Sequence, residues 1–283
     1  MANWQHKSRG RPPRPAATPP LHTLSAAWHA AVVAGMAAGK VSWRRGAGAL
    51  LANHAVLSLA GCLPRSPLLG PNLTSLPAGT PRCPDVALSF DDGPDPDVTP
   101  RVAEILEDRG LRGSFFCIGR RLRRYPEVAR DLAARGHTLE NHTWRHRSTF
   151  AVALRPSLRR EIGAAQKIAT EIAGRPPAWF RAPAGVRNPL LEGVLAEAGL
   201  HYASWTRRGF DTVDPNPGTV LDRLIDGLGK GDVLLLHDGN SARDANGRPV
   251  VLEVLPRLLD YLEAFELRAG PLPEPEDLPE PWG

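Results

Sequence analysis

A chain of 283 residues, 42% of them hydrophobic, is long enough to bury a sizeable core and reads as one large domain with an appendage. Its net charge of +5 is unevenly placed: nine of the 35 Lys and Arg lie in residues 1–82, which hold no Asp or Glu, while the other 26 share residues 83–283 with all 30 acidic residues. The acidic remainder has no basic-aromatic motif, which argues against a nucleic-acid partner, and three scattered cysteines (Cys62, Cys83, Cys117) exclude a disulfide framework and a cysteine-built zinc site.

Residues 1–20, rich in Pro, Arg and Ala, are expected to be a disordered basic leader. Two charge-free stretches follow, Pro15–Gly39 and Gly46–Pro64, so residues 21–64 are expected to be Ala-rich helix and a membrane anchor. One span fits the charge pattern better than two: the second stretch crosses, with Lys40, Arg44 and Arg45 inside, and the first lies in the interface or belongs to a cleaved leader. That places everything after the second stretch outside the membrane. The alternative is a pair of soluble helices packed on the domain. "LAGC" at 59–62 is similar to a lipoprotein processing box, which leaves lipidation of Cys62 open. Residues 65–84 are expected to be a linker.

From Asp85 to residue 268 the texture alternates between short apolar runs and helix-period segments, the pattern of a parallel α/β sheet or barrel. Strands are expected at Val86–Phe90, Ser114–Ile118, His137–Leu139, Trp179–Phe180, His201–Trp205 and Val233–Leu236, with a seventh hidden in the loops. Helices are expected at 98–109, 126–135 (opened by Pro126), 157–173, 189–198, 218–229 and 250–267. Residues 269–283, alternating Pro with acidic residues, are expected to be a disordered tail.

Chemistry-bearing residues follow the apolar runs: Asp91-Asp92 after the first, "ENHTWRH" (140–146) after the third, "RAPAG" (181–185) after the fourth and "HDG" (237–239) after the last. In a barrel of parallel strands all these ends share one face, where active sites are built. His142 and His146, spaced i, i+4 on an expected helical turn, can reach one metal ion, and Asp92 completes an Asp/His/His set with a position open for water. Asp91 is then free to take a proton from a water held there, with Arg181 keeping it ionised. His237 can protonate a departing amine, with Asp211 as its carboxylate partner and Asp214 second. Gly185 permits close approach, and the Ala184 N–H can help hold an oxyanion.

From about Asp85 to Phe265 the chain resembles the NodB-type polysaccharide deacetylases, carbohydrate esterase family four: "SFDDGP", "HTWRH", "RAPAG", "FD" at 210–211 and "LLLHD" are similar to the family's five motifs, in its order. The resemblance implies a distorted (β/α) barrel and a divalent metal, usually Zn2+, on Asp92, His142 and His146. It also implies Asp91 as base, His237 as acid, Leu235 lining the acetyl pocket, and removal of N-acetyl groups from an amino-sugar glycan by a monomeric enzyme. Two departures stand out: Thr212 replaces the family's Trp after the fourth-motif Asp, and Ala184 replaces a Tyr. Alternative readings are a deacylase or deformylase of a lipid-linked sugar, and a catalytically silent glycan-binding homologue.

Overall fold

The computed structural model describes residues 11–77 and 83–279; expectations for residues 1–10, 78–82 and 280–283 lie outside the described residues. Eight strands form one all-parallel sheet: β1 (Val86–Asp91), β2 (Ser114–Cys117), β3 (Thr138–Asn141), β4 (Trp179–Phe180), β5 (His201–Tyr202), β6 (Arg207–Arg208), β7 (Val233–His237) and β8 (Ala269–Gly270). The order is β5-β4-β3-β2-β1-β7-β6, with β8 paired to β1. Its two edges, β5 and β6, are the two ends of one extended segment, 201–208, which pairs with β4 through its first half and with β7 through its second. The chain therefore curls the sheet into the expected distorted barrel. β6 and β8 are the strands the sequence hides, each too short to carry a periodic signal.

Alternation sorts the strand side chains between two cores. Leu88, Phe90, Phe115, Leu234 and Leu236 point outward, under the helices. These are α3 (Thr99–Glu107), α4 (Gly119–Arg124), α5 (Pro126–Ala134), α6 (Arg155–Ala173), α7 (Leu191–Glu197), α8 (Pro217–Ile225) and α9 (Val250–Ala264). Each long helix buries one stripe; on α9 it is Val250, Val251, Val254, Leu255, Leu258, Leu259 and Leu262, at three-to-four-residue spacing. Inward go Ala87, Phe116, Trp179, Ala203, Val233 and Leu235.

The barrel's amino-terminal end is filled by segments expected to be linker and tail. Leu73 and Leu76 come from residues 65–77, Leu272 and Leu278 from the acidic tail, and all four are buried with the inward strand residues. Backbone bonds hold them: Leu73 N–H donates to Tyr202 O (3.0 Å), Ser204 N–H to Leu73 O (2.9 Å) and Leu76 N–H to Gly231 O (2.8 Å). β8 occupies the part of the β1 edge that β2 leaves free, through Val86–Ala269 and Ala87–Gly270. Trp179 Nε1–H donates to Pro273 O (2.8 Å). The tail's acidity is used: Glu274 pairs with Arg11 and Arg175, and Glu276 pairs with Arg11 at 2.6 Å. Leader, linker and tail are thus laid on the domain where they are described, because their isolated leucines and charges have partners there.

The charge-free stretches form α1 (Pro20–Ala37) and α2 (Trp43–Gly61), packed on each other; Trp28 Nε1–H donates to Ala49 O (3.2 Å). Among the described residues no helix is long and apolar enough to cross a membrane. Within the stretch Gly46–Pro64, where a span is expected, Leu57 and Ala60 of α2 are buried with Leu69, and Arg187 N–H donates to Gly61 O (2.8 Å). Behind this contact the buried Arg187–Glu192 pair (3.0 Å) also takes Arg14 at 2.9 Å. Cys62 caps α2 and is exposed.

Leu272→Ala is expected to lower stability by about 2–4 kcal/mol, because it opens a cavity in the barrel interior. Urea unfolding should show this as a lower midpoint, whereas Val152→Ala, at a position 79% exposed, should move the midpoint little.

Candidate metal-dependent hydrolase site

The expected site residues converge at the carboxyl end of the barrel. Asp91 ends β1, His142 follows β3, Arg181 follows β4, Asp211 follows β6 and His237 ends β7. Asp91, Asp92, His142, His146, Leu235 and His237 line a cleft of ≈ 280 Å³, while Arg181 and Asp211 are buried behind it. Ala184 and Gly185 also line it, both at positive φ (54° and 72°) in a short 3-10 turn, Pro183–Gly185.

Arg181 is fully buried inside the barrel, and every direction of its guanidinium is answered. It donates to Asp91 Oδ1 (2.7 Å), Ser89 Oγ (3.0 Å), Ala203 O (3.3 Å) and Ser204 O (2.8 Å), and lies 4.0 Å over the Phe116 ring. This contact gives Asp91 a cationic partner and fixes one of its oxygens.

Asp92 turns the other way because its backbone is left-handed (φ 73°), which puts the two adjacent carboxylates to different uses. The turn fits only because its neighbours are glycines: a Cβ on Gly93 would sit 2.0 Å from Asp238 Oδ2, and one on Gly239 would sit 2.4 Å from Asp92 O. Asp92 Oδ2 accepts from Asn240 Nδ2 (3.0 Å), while Oδ1 is buried without a hydrogen bond. His146 Nε2 is 3.3 Å and His142 Nε2 3.5 Å from Oδ1, and one donor atom from each of the three residues falls within 4.8 Å of the others. Two donors holding one ion at ~2.0–2.1 Å with a tetrahedral angle stand about 3.4 Å apart, so the set fits a small divalent cation. The unanswered Oδ1 is the atom such an ion would satisfy.

The two histidines do not reach this point as the sequence suggests. Residues 142–147 form a bent loop, not a helical turn, and Thr143 (φ 64°) and His146 (φ 52°) are left-handed. Asn141 Oδ1 accepts from Thr143 N–H (3.1 Å) and Thr143 Oγ1 from His146 N–H (3.0 Å), which fixes the loop and brings the rings to 4.8 Å between centroids. His142 Nδ1 lies 2.8 Å from Arg181 O. A carbonyl only accepts, so Nδ1 carries the proton and Nε2 keeps its lone pair for an ion.

Across the cleft one carboxylate grips His237 twice: Asp211 Oδ1 faces Nδ1 at 2.8 Å, and Oδ2 accepts the His237 backbone N–H at 2.7 Å. Burial works against charge on this ring, but Asp211, then Asp91 and Asp92, outweigh it and raise His237 to about 9. For Asp92, burial opposes ionisation and is outweighed by His142, His146 and His237, so its carboxyl is held well below the usual range. The arrangement places an ionised carboxylate and a protonated imidazole on one cleft with a cation-binding set beside them.

Asp214, the second candidate partner for His237, instead pairs with Arg223 (2.7 Å). Trp205, Arg208 and Asn240 line the cleft without having been singled out in the sequence, and Thr212, noted there as a departure, lines it too. Asn240 carried a usable signal, since it directly follows "HDG". Its Oδ1 accepts from Arg121 (2.8 Å), leaving its amide to face Asp92.

The family model described as polysaccharide deacetylase matches residues 78–203, and so stops short of Asp211 and His237. The chitooligosaccharide deacetylase of Azorhizobium caulinodans is 33% identical over 195 residues, covering 66% of this chain and 92% of its own. The peptidoglycan-N-acetylglucosamine deacetylase of Bacillus cereus is 30% identical, covering 61% and 81%. A solved peptidoglycan N-acetylglucosamine deacetylase, 24% identical, has the same fold, with a TM-score of 0.64 over 71% of this chain and 91% of that one. Motifs, barrel and relatives agree, and the chain belongs to the polysaccharide deacetylase family.

Proposed function

We propose that this protein is a metal-dependent deacetylase that removes N-acetyl groups from an amino-sugar glycan of the bacterial cell envelope. The observation that carries the reading is the pairing, across one cleft, of Arg181-bound Asp91 with Asp211-bound His237 beside the Asp92/His142/His146 set. The printed substrates of the relatives, chitooligosaccharide and peptidoglycan, supply the substrate class.

Asp92, His142 and His146 would hold the ion, and Zn2+ suits one carboxylate with two imidazoles. Bound there, it supplies Lewis acidity that polarises the amide carbonyl and lowers the pKa of water. The chain's own groups do the proton work. Asp91 accepts the proton of the water that attacks the amide carbon; Arg181 keeps it a base and aims its free oxygen. As the tetrahedral intermediate collapses, His237 gives its proton to the departing amine, so that acetate and a free amino sugar leave. The Ala184 N–H is placed to steady the developing oxyanion, and Gly185 leaves room for the substrate. Leu235, buried on the barrel's inner face beside Arg208, offers the apolar wall for the acetyl methyl. None of the ligand, base or acid residues is missing, which favours an enzyme over a silent glycan-binding homologue.

Acetate release from N-acetylglucosamine oligomers and from peptidoglycan fragments, with and without chelator, tests the reading; no chelator-sensitive release from any amino-sugar substrate would sink it. Asp91→Asn should keep bound metal and lose roughly 10²–10⁴-fold in kcat, whereas His142→Ala should lose metal and activity together, as metal analysis beside the assay would show. The acid works while protonated, so activity falls as pH rises through its pKa. Asp211 is the largest influence raising that pKa, and Asp211→Asn should therefore shift the alkaline limb of the kcat/KM profile to lower pH, by about one unit or more.

A further inference from the structure

The α1–α2 hairpin presents to solvent a face that a water-soluble helix pair does not carry. α1 has no charged residue, and the only charges in α2 are Arg44 and Arg45 in its first turn. One side of the hairpin meets the barrel through Leu21, Leu57, Ala60 and Leu69. On the other, Leu51, Ala55, Leu59 and Leu63 recur at every fourth residue and lie in the open, Leu51 at 70%, Leu59 at 66% and Leu63 at 56% exposure. α1 adds Leu24 at 67% and Trp28 at 50%. The outer face of a helix on a globular domain is normally polar, and an unbroken apolar face marks a surface that leaves water when it works.

The charge at the tip says what covers it. Lys40, Arg44 and Arg45 are all exposed where the two helices join, and among the described residues none makes an ion pair. Arg44 lies 5.5 Å over the ring of Trp43, itself 72% exposed. Residues 1–82 contain no carboxylate, so a second hairpin offers these cations nothing to pair with. A bilayer bearing anionic head groups offers both halves of the match: phosphates for the cations and acyl chains for the leucines, with the tryptophan at the boundary.

The same surface reaches the cleft. Pro64, two residues beyond the Cys62 cap of α2, packs on Gly185, so that a Cβ there would lie 3.0 Å from Pro64 Cβ, and Arg65 donates to Thr206 O (3.0 Å). Gly185 is part of the cleft wall. We propose that the α1–α2 hairpin is an interfacial docking surface for anionic phospholipid, lying in the head-group layer without crossing it, and that it holds the cleft mouth beside the membrane. Lipid binding by the hairpin needs no catalytic role for any cleft residue, so it stands or falls apart from the catalytic reading.

Flotation of the full chain with vesicles of phosphatidylcholine alone, or mixed with phosphatidylglycerol, tests it. Binding is expected only with phosphatidylglycerol, weakening as salt is raised. The triple change Lys40→Gln, Arg44→Gln, Arg45→Gln should weaken it about a hundredfold. Leu51→Glu with Leu59→Glu, at solvent-facing positions that should leave the fold intact by circular dichroism, should weaken it tenfold or more. Acetate release from soluble oligomers should be unchanged in both variants. No flotation with phosphatidylglycerol vesicles, or flotation untouched by either variant, overturns the proposal. So does a stable dimer in sedimentation that Leu51→Glu and Leu59→Glu dissociate without any effect on lipid binding.

Discussion

The structure turns on one buried cation. Arg181 cannot reach water, so its charge is compensated from within, by the Asp91 carboxylate and by carbonyls from the 203–204 segment. Its backbone carbonyl meets His142 Nδ1 and thereby selects the ring tautomer that points a lone pair at Asp92. A single residue thus fixes the position of the proposed base and the orientation of a proposed metal ligand. It also ties β1, β4 and the 201–208 segment across the barrel interior, so the interaction that organises the chemistry also helps organise the fold.

The polar groups of the cleft are separated by environment. Two adjacent carboxylates, Asp91 and Asp92, are driven apart by the left-handed backbone at the second: one faces an arginine, the other two imidazoles. On the far wall, Asp211 spends both oxygens on His237, so the imidazole charges where burial alone would keep it neutral. A carboxylate held below its usual range and an imidazole raised above its own stand within one small cleft, as division of labour between proton acceptor and proton donor requires.

The strands and the catalytic side of the molecule were legible because both depend on local signals. Apolar runs such as Val86–Phe90 and Val233–Leu236 announce buried parallel strands, and Asp, His and Arg standing after them announce a shared end. What failed was whatever depends on distant partners. Leu73, Leu76, Leu272 and Leu278 are solitary leucines among prolines and polar residues, with no periodicity to say they enter a barrel. Arg11 and Glu274 meet across 263 positions, and neither segment alone predicts order. The His142–His146 spacing suggested a helical turn, but two left-handed residues and two side-chain-to-backbone bonds produce the same convergence in a loop. The hairpin's lack of charge is visible in the sequence, whereas the contact of Leu57, Ala60 and Gly61 with the domain is not.

The closure of the barrel floor orders events in time. During synthesis β1 to β7 emerge with their inner faces still wet, since Leu272 and Leu278, which cover that end, come some thirty-five residues after the last main strand. The sheet can begin to curl as soon as the 201–208 segment is made, but a dry interior around Trp179 and Phe116 waits for the tail. Leu73 and Leu76, made before any strand, must wait throughout for a wall to lean on. The inner core around Trp179 and Phe116 is therefore complete only once the segment carrying Leu272 and Leu278 has been made, well after the side chains of the cleft.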